Sequence, residues 1–383
     1  MAEKLKPIRR IVTGHDKNGR SCVLYDGSAP NANPQRNKPG SGMTEVWVYP
    51  SCPVDLSGER DDGNLSFNFE PPAQGGHLRI VQSPGRPPGY DPARDPAAES
   101  THPPIMRPGA KATLDRGGAN AFSSPIHRST TVDYGIVLEG ERVLELDGKG
   151  IVMKPGDTVI QLGNWHGWSN RDSDSLMAFV MMGGTFEGPP EKPVQPIEPE
   201  KKKIVNPVRR IVTADDDQGN PIALSDGPAP DVRTDPARPG FTSTRIWVTD
   251  RTPAKIKGVR ETLHLPHTIE PPRGGSVFRV VVFPPDASYI DRVGPKEVQA
   301  FFESMGSPDA STYAKGAHPY RQRTKTLDFC IVLEGEITLI LDTEEVDLKK
   351  GDVVIQRGTN HAWSNRSNKP CTMIFSQHDG FFS

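Results

Sequence analysis

Cysteine is scarce: Cys22, Cys52, Cys330 and Cys371 are the only four in 383 residues, none in a CxxC pair and none at matching places in the two halves described below. That scatter excludes a disulfide scaffold and a thiolate cluster, and fits free thiols in a reducing compartment. Long apolar runs are missing as well. Nothing approaches the ~20 residues a membrane span needs, and the polar start Met1 to Lys6 has no apolar signal core behind it. A cytoplasmic location and no membrane partner are therefore expected. Charge of one sign is absent too: 46 basic against 48 acidic residues leave a net charge of −2. Such a balance gives no electrostatic reason to bind nucleic acid, and no P-loop, Ser-His-Asp arrangement or nucleic-acid module is found.

Turn formers, by contrast, are plentiful. Proline (39) and glycine (37) make up about a fifth of the chain, which suits a turn-rich β protein and argues against a helical bundle. Apolar segments such as Tyr134–Leu138, Val143–Leu146, Ile151–Met153, Thr158–Gln161 and Leu176–Met182 are divided by Gly140, Gly150, Pro155-Gly156 and Gly163-Asn164. Short strands at such close spacing predict a sandwich or barrel. One helix is predicted. Pro295 stands at its first turn, Val298, Phe301, Phe302 and Met305 recur at i, i+3, i+4 and i+7, and Gly306 stops it.

The chain repeats itself. Pro7-Ile-Arg-Arg-Ile-Val-Thr13 returns as Pro207-Val-Arg-Arg-Ile-Val-Thr213, and Asp26-Gly27, Val46-Trp47-Val48 and Glu70-Pro71-Pro72 return at the same offset of 200. Further on, Ile136-Val-Leu-Glu-Gly140, His166 and Trp168-Ser-Asn170 return at an offset of 195. The organisation expected is a first unit over 1–186, a proline- and lysine-rich linker over 187–206 and a second unit over 207–383. The predicted helix belongs to the second unit only; the first has the proline-rich stretch Pro87 to Pro108 there, expected as a loop at one barrel rim.

In an extended segment side chains alternate, so His127, Ser129, Thr131 and Asp133 share one face, together with Val137. After Pro155-Gly156-Asp157 and a strand comes Gly163-Asn-Trp-His166-Gly-Trp168-Ser-Asn170, where His166 and Trp168 share a face. A histidine beside a carboxylate in a dry barrel can take or deliver a proton. Trp168 and Trp363 are expected at the cavity or in the core. Arg79 and Arg279 lie within apolar strand runs. Pointing inward, either would clamp a carboxylate or phenolate; pointing outward, the commoner placement, it is only solvated. His264-x-x-His267 invites a metal reading that Pro266 and its absence from the first unit oppose.

The order of glycines, strands and a His-x3-Asn element resembles the cupin superfamily. More narrowly, VDYGIVLEGE, PGD and H-x-W-S-N resemble a group of cupin-domain proteins that open with RRIVTGHD and have no assigned activity. The resemblance implies an all-β chain of two tandem cupin jelly-roll barrels, facing each other or sharing edge strands. It also implies a metal site: His127 takes the first histidine position and His166 the last, while Ser129 stands where a second histidine belongs and Asp133 where a glutamate does. His127, Asp133 and His166 are then the candidate metal ligands and catalytic residues, of facial-triad composition, for one divalent ion such as Fe(II), Zn or Mn. A site without metal is the equal alternative. In the second unit Gln322 replaces the first histidine, Thr324 stands at the second, and Asp328 and His361 remain, with His318 four residues upstream of Gln322.

The function expected is an enzyme acting on a small organic substrate in the N-terminal barrel, in the first place a metal-dependent dioxygenase or other oxidoreductase. The alternatives are a metal-free or zinc-dependent isomerase, dehydratase or hydrolase using the same cluster, or a non-enzymatic binding barrel. Trp168, Arg79, Gln322, Asp328, His361 and Trp363 are the candidate substrate contacts. Homo-oligomerisation is left open.

Overall fold

The computed structural model describes residues 5–35, 38–187 and 206–383; nearly all of the expected linker, Lys201 to Lys203 included, lies outside the described residues. The fold is all-β, two jelly-roll barrels, each built from one large sheet and one three-stranded sheet. Every predicted strand lies within an observed one: Thr131–Glu139, Arg142–Leu146, Lys149–Met153, Thr158–Leu162 and Ser175–Thr185. Gly140 shows why the turns must be glycine. Its φ is +69°, and a Cβ there would lie 1.9 Å from the Asp174 carbonyl oxygen.

The two copies exchange their first hairpins. Arg9–His15 pairs antiparallel with Ser21–Ser28, and its other edge runs parallel to Val353–Arg357 of the second copy. Reciprocally, Arg209–Asp215, paired with Pro221–Pro228, runs parallel to Thr158–Leu162 of the first. Each large sheet therefore takes two strands of the other copy at one end, and a short third one elsewhere, Val54–Asp55 beside Cys371–Phe381 and Ala254–Lys255 beside Ser175–Thr185.

This exchange accounts for the repeated Arg-Arg-Ile-Val-Thr. The first arginine clamps the other barrel at its tight turn: Arg9 donates to Asp352 at 2.8 Å, and Arg209 to Asp157 at 2.9 Å. The second arginine turns back to its own copy. Arg10, fully buried, donates to Asp61 and the Val46 carbonyl, and Arg210 to Glu261 and the Ile246 carbonyl. The threonine then reaches across again, Thr13 to Gln356 and Thr213 to Asn164.

The large sheets lie back to back. Alternate residues of Thr131–Glu139 point to opposite faces, so Tyr134, Ile136 and Leu138 join Phe278, Phe329 and Ile374 in one core shared by both copies. Tyr134 stacks on Phe278 at 5.0 Å. Asp133 and Val137 face the other way, into the first barrel. The predicted helix spans Pro295–Ser304, opened by a Gly294 N–H to Glu297 carboxylate bond of 2.9 Å. Val298, Phe301, Phe302 and Met305 are buried in the second barrel. The first copy carries instead a three-stranded sheet, Thr101–Met106, Thr113–Gly117 and His127–Ser129, so the proline-rich stretch expected as loop includes one exposed strand.

A fragment spanning 206–383 alone lacks three strands of its large sheet, Arg9–His15, Ser21–Ser28 and Val54–Asp55, and its Asp352 lacks Arg9. It is expected to give no cooperative thermal transition by circular dichroism. The full chain is expected to unfold in one transition.

Candidate functional site

The barrel interiors differ sharply. A cavity of about 620 Å³ opens in the first, while the corresponding space in the second is about 70 Å³. The reason is the helix: Phe301, Phe302 and Met305, with Tyr320, fill what the first copy leaves open.

His127 and His166 meet at the polar end of the larger cavity. They form an antiparallel bridge, His127 N–H to His166 O at 2.8 Å and the return bond at 3.0 Å, which sets their rings 4.4 Å apart. Each Nδ1 lies against a backbone carbonyl, His127 on Pro125 at 2.8 Å and His166 on Asn164 at 2.9 Å. Nδ1 must therefore carry the proton, leaving Nε2 as a lone-pair acceptor in each neutral ring. Neutrality is enforced. Burial, the neighbouring His166 and Arg107 hold His127 well below its ordinary pKa, and burial takes His166 down to about 4.

Asp133 lines the same cavity from the adjacent strand. Burial pushes it up to about 7, against a bond from Thr131 and the charge of Arg79, and its Oδ1 has no hydrogen-bond partner. Directly across the strand pair stands Gln161, whose amide nitrogen and oxygen are both buried without partners. Sequence reasoning missed Gln161; the signal was a lone amide in the otherwise apolar Thr158–Leu162. It also missed Arg142, Phe69, Phe122, Phe179 and Met181, which complete the wall.

The metal triad implied by the resemblance is not formed. Among the described residues no three His, Cys, Asp or Glu side chains converge closely enough to hold an ion. His127 and His166 come together, but Asp133 bonds to neither. The second-histidine position is also spent: Ser129 Oγ bonds Thr113 Oγ1 at 2.9 Å, and Thr113 in turn donates to Glu70. Two imidazole donors remain, one short of the expected set, and His264 and His267 form no cluster either.

Both strand arginines point inward, against the commoner placement. Arg79 is nonetheless no free clamp. It donates to buried Glu45 at 2.6 Å and to the Asn68 and Phe69 carbonyls, under the Phe67 ring. Arg279 likewise donates to the Thr268 and Ile269 carbonyls. Trp168 does line the cavity, edge-on to His166 at 6.1 Å. In the second barrel Gln322 Nε2 sits 3.3 Å from His361 Nε2, so the amide occupies the histidine acceptor. Asp328 is raised to about 7 and His361 lowered to about 4, both by burial. Gln322, Asp328 and Trp363 border only the small residual space, so the second-barrel residues carried as substrate contacts have no room to act as such. His318 does not reach Gln322's ring partner; it faces Asp286 at 3.6 Å.

Two segments, 116–182 and 311–376, match the family model of the cupin domain. Phomopsin biosynthesis cluster protein C' of Diaporthe leptostromiformis is 28% identical over 147 residues, covering 35% of this chain and 69% of that protein. The cupin-domain-containing oxidoreductase fogC of Aspergillus ruber is 27% identical over 184 residues, covering 46% and 73% respectively. Among solved structures, AerE from Microcystis aeruginosa aligns with 91% of this chain and 97% of its own at 11% identity, with a TM-score of 0.39. No helix among the described residues is long and apolar enough to cross a membrane.

A carboxyl group whose pKa is raised by folding favours the folded state below its unfolded pKa and loses that contribution as pH climbs through the folded value. For Asp133 that window runs from about 4 to about 7. Asp133→Asn is therefore expected to melt higher than wild type at pH 8, by about 2 °C or more, and to match it near pH 4. Equal melting differences at both values would show that Asp133 does not titrate in this window.

Proposed function

We propose that this tandem cupin protein is an enzyme acting on a small organic molecule, with its active site in the N-terminal barrel and the C-terminal barrel serving as scaffold. One observation carries the reading: of two barrels with a common origin, only the first keeps an open cavity, and that cavity ends in unpaired polar groups. Its volume suits a small ligand. An unpaired amide and carboxyl oxygen in a buried wall cost free energy unless a partner satisfies them.

The working groups divide by their protonation. His127 and His166 are held neutral and offer Nε2 lone pairs, so they accept hydrogen bonds from bound substrate. Asp133, near 7, changes state under ordinary conditions and is the general base when ionised and the general acid when protonated. Gln161 fixes a substrate oxygen beside it.

Oxidoreductase is the reaction class we favour, supported by the naming of fogC and two further relatives as cupin-domain oxidoreductases. The chain's side chains supply the proton transfer of such a reaction but no electron acceptor, since all four cysteines are unpaired and none lines the cavity. Dioxygen or another second molecule would have to take the electrons. A metal-dependent dioxygenase is the finer form of this reading; the protein offers such a metal His127 and His166 but not the third ligand. Proton transfer without net oxidation, as in an isomerase or dehydratase, is the second reading, favoured by that shortfall.

Wild type, His127→Ala and His166→Ala, purified without chelator, separate these readings. Metal well below one equivalent by mass spectrometry and no effect of chelator on melting are expected in all three. Stoichiometric metal in wild type that both variants lose would establish the metal-dependent form instead. Turnover, measured against candidate substrates, is expected to rise with pH through a single ionisation near 7 as Asp133 becomes the base. Asp133→Asn should abolish that rise.

A further inference from the structure

Three arginines line the first-barrel cavity, and two of them are neutralised. Arg79 is paired with Glu45 at 2.6 Å and Arg107 with Asp115 at 3.0 Å. Arg142 is not. It is 6% exposed, and among the described residues no carboxylate pairs with it. Its Nη1 donates to two neutral oxygens, Asn170 Oδ1 at 2.9 Å and Ser175 Oγ at 3.2 Å, and its Nε is buried with no partner. Burial alone, with no compensating charge, lowers its pKa to about 10. A buried guanidinium without a counter-ion is costly, so a fold keeps one where an anion arrives to meet it.

The duplication supplies an internal control. At the offset of 195 that aligns Gly140 with Gly335, Arg142 corresponds to Ile337, which is buried in the apolar core of the closed barrel. Asn170 keeps its counterpart Asn365, but with no arginine to receive it, Asn365 Oδ1 turns to Ser367. The arginine is present where the cavity is open and absent where it is filled.

We propose that Arg142 is the anion-binding residue of the site, and that the substrate is a planar or aromatic monocarboxylate docked with its carboxylate on this guanidinium. The assignment rests on the reading of the N-terminal cavity as the small-molecule site and specifies its substrate class. Arg142 is the buried guanidinium of this wall without a counter-ion, and its fork matches a single carboxylate; Lys38, which also lines the cavity, is already held by the Asn120 and Ser123 carbonyls. The body of the ligand is set by the wall between the two polar ends. Trp168 is common to both, 5.9 Å from the Arg142 Cζ and 6.1 Å from the His166 ring, and Phe179 lies edge-on to it at 5.4 Å. With Phe69 and Phe122 these rings make an aromatic slot. A molecule of one or two rings would lay its carboxylate on Arg142 and extend along Trp168 toward His127, His166 and Asp133.

The test is calorimetric and thermal-shift titration of the full chain with benzoate, cinnamate and 2-naphthoate and with the neutral amide of each. Wild type should bind at least one carboxylate and bind its amide far more weakly. Arg142→Ile, the residue of the closed barrel, should lose carboxylate binding by on the order of 30-fold or more and melt no lower than wild type without ligand. Arg142→Lys, which keeps the charge, should retain part of the affinity and guards against a folding defect in the isoleucine variant. Carboxylates that bind Arg142→Ile as well as wild type, or that bind neither, would overturn the assignment. Amides that bind as tightly as carboxylates, and compete for the cavity in both proteins, would overturn the anion site while leaving the cavity as the small-molecule site. Asp133→Asn should keep carboxylate binding, so loss of turnover there tests the catalytic reading separately.

Discussion

The parallel seam between Arg9–His15 and Val353–Arg357, with its twin between Arg209–Asp215 and Thr158–Leu162, is the constraint from which the rest of the molecule follows. A jelly-roll sheet with an open edge invites pairing, and here each copy covers the other's edge. Crossing the copies twice forces the large sheets back to back, and period-two alternation then divides every central strand between two environments. Tyr134 and Phe278 meet in the shared core, whereas Asp133 and Gln161 are turned into the barrel. The site is thus held by strands whose reverse faces are locked against a second domain, and rigid support of that kind is what positioned catalytic groups require.

Within this symmetrical frame the two barrels have been put to different uses. Asp133 and Asp328 keep the same place and the same raised pKa of about 7. What differs is what they face. In the first barrel the carboxyl looks on open space beside two neutral imidazoles. In the second, Gln377 reaches Asp328 at 3.4 Å, Gln322 occupies His361, and the aromatic helix removes the volume a substrate would need. A buried polar group is costly unless something satisfies it; the second barrel's amides meet part of that need, though Asp328 Oδ1 and Gln356 Nε2 stay unpaired, whereas the unpaired groups of the first face space that a ligand can enter.

Much of this was legible in the sequence. The repeat, the placing of the strands and the helix at Pro295–Ser304 follow from local rules, glycine turns, period-two alternation and i to i+3 and i+4 spacing, while the convergence of His127 with His166 was implied by the family resemblance. The hairpin exchange was not legible, because Arg9–His15 reads identically whichever sheet it joins; the choice depends on contacts more than 300 residues away in the chain. Nor was the fate of Asp133. Sequence spacing puts it on the histidines' face, yet the metal geometry depends on a few tenths of a nanometre that spacing does not encode. Nothing in sequence separates Arg79, between Leu78 and Ile80, from Arg142, between Glu141 and Val143, as paired or unpaired. Only the position of Glu45, on a strand paired in space and remote in sequence, separates a neutralised arginine from an unpaired one.

The exchanged hairpins also bear on ancestry. A lone copy of this unit would have a bare seam and a surplus hairpin, and two such copies related by a two-fold axis would satisfy both at once. The present chain has the form of that dimer with its subunits joined end to end, so partner encounter no longer depends on concentration. Joining relaxes selection unevenly. Either half must go on giving its hairpin to the other, but only one needs a working cavity. The C-terminal barrel is filled by packing residues and still cannot be discarded, since the sheet that carries Asp133 ends on its strands.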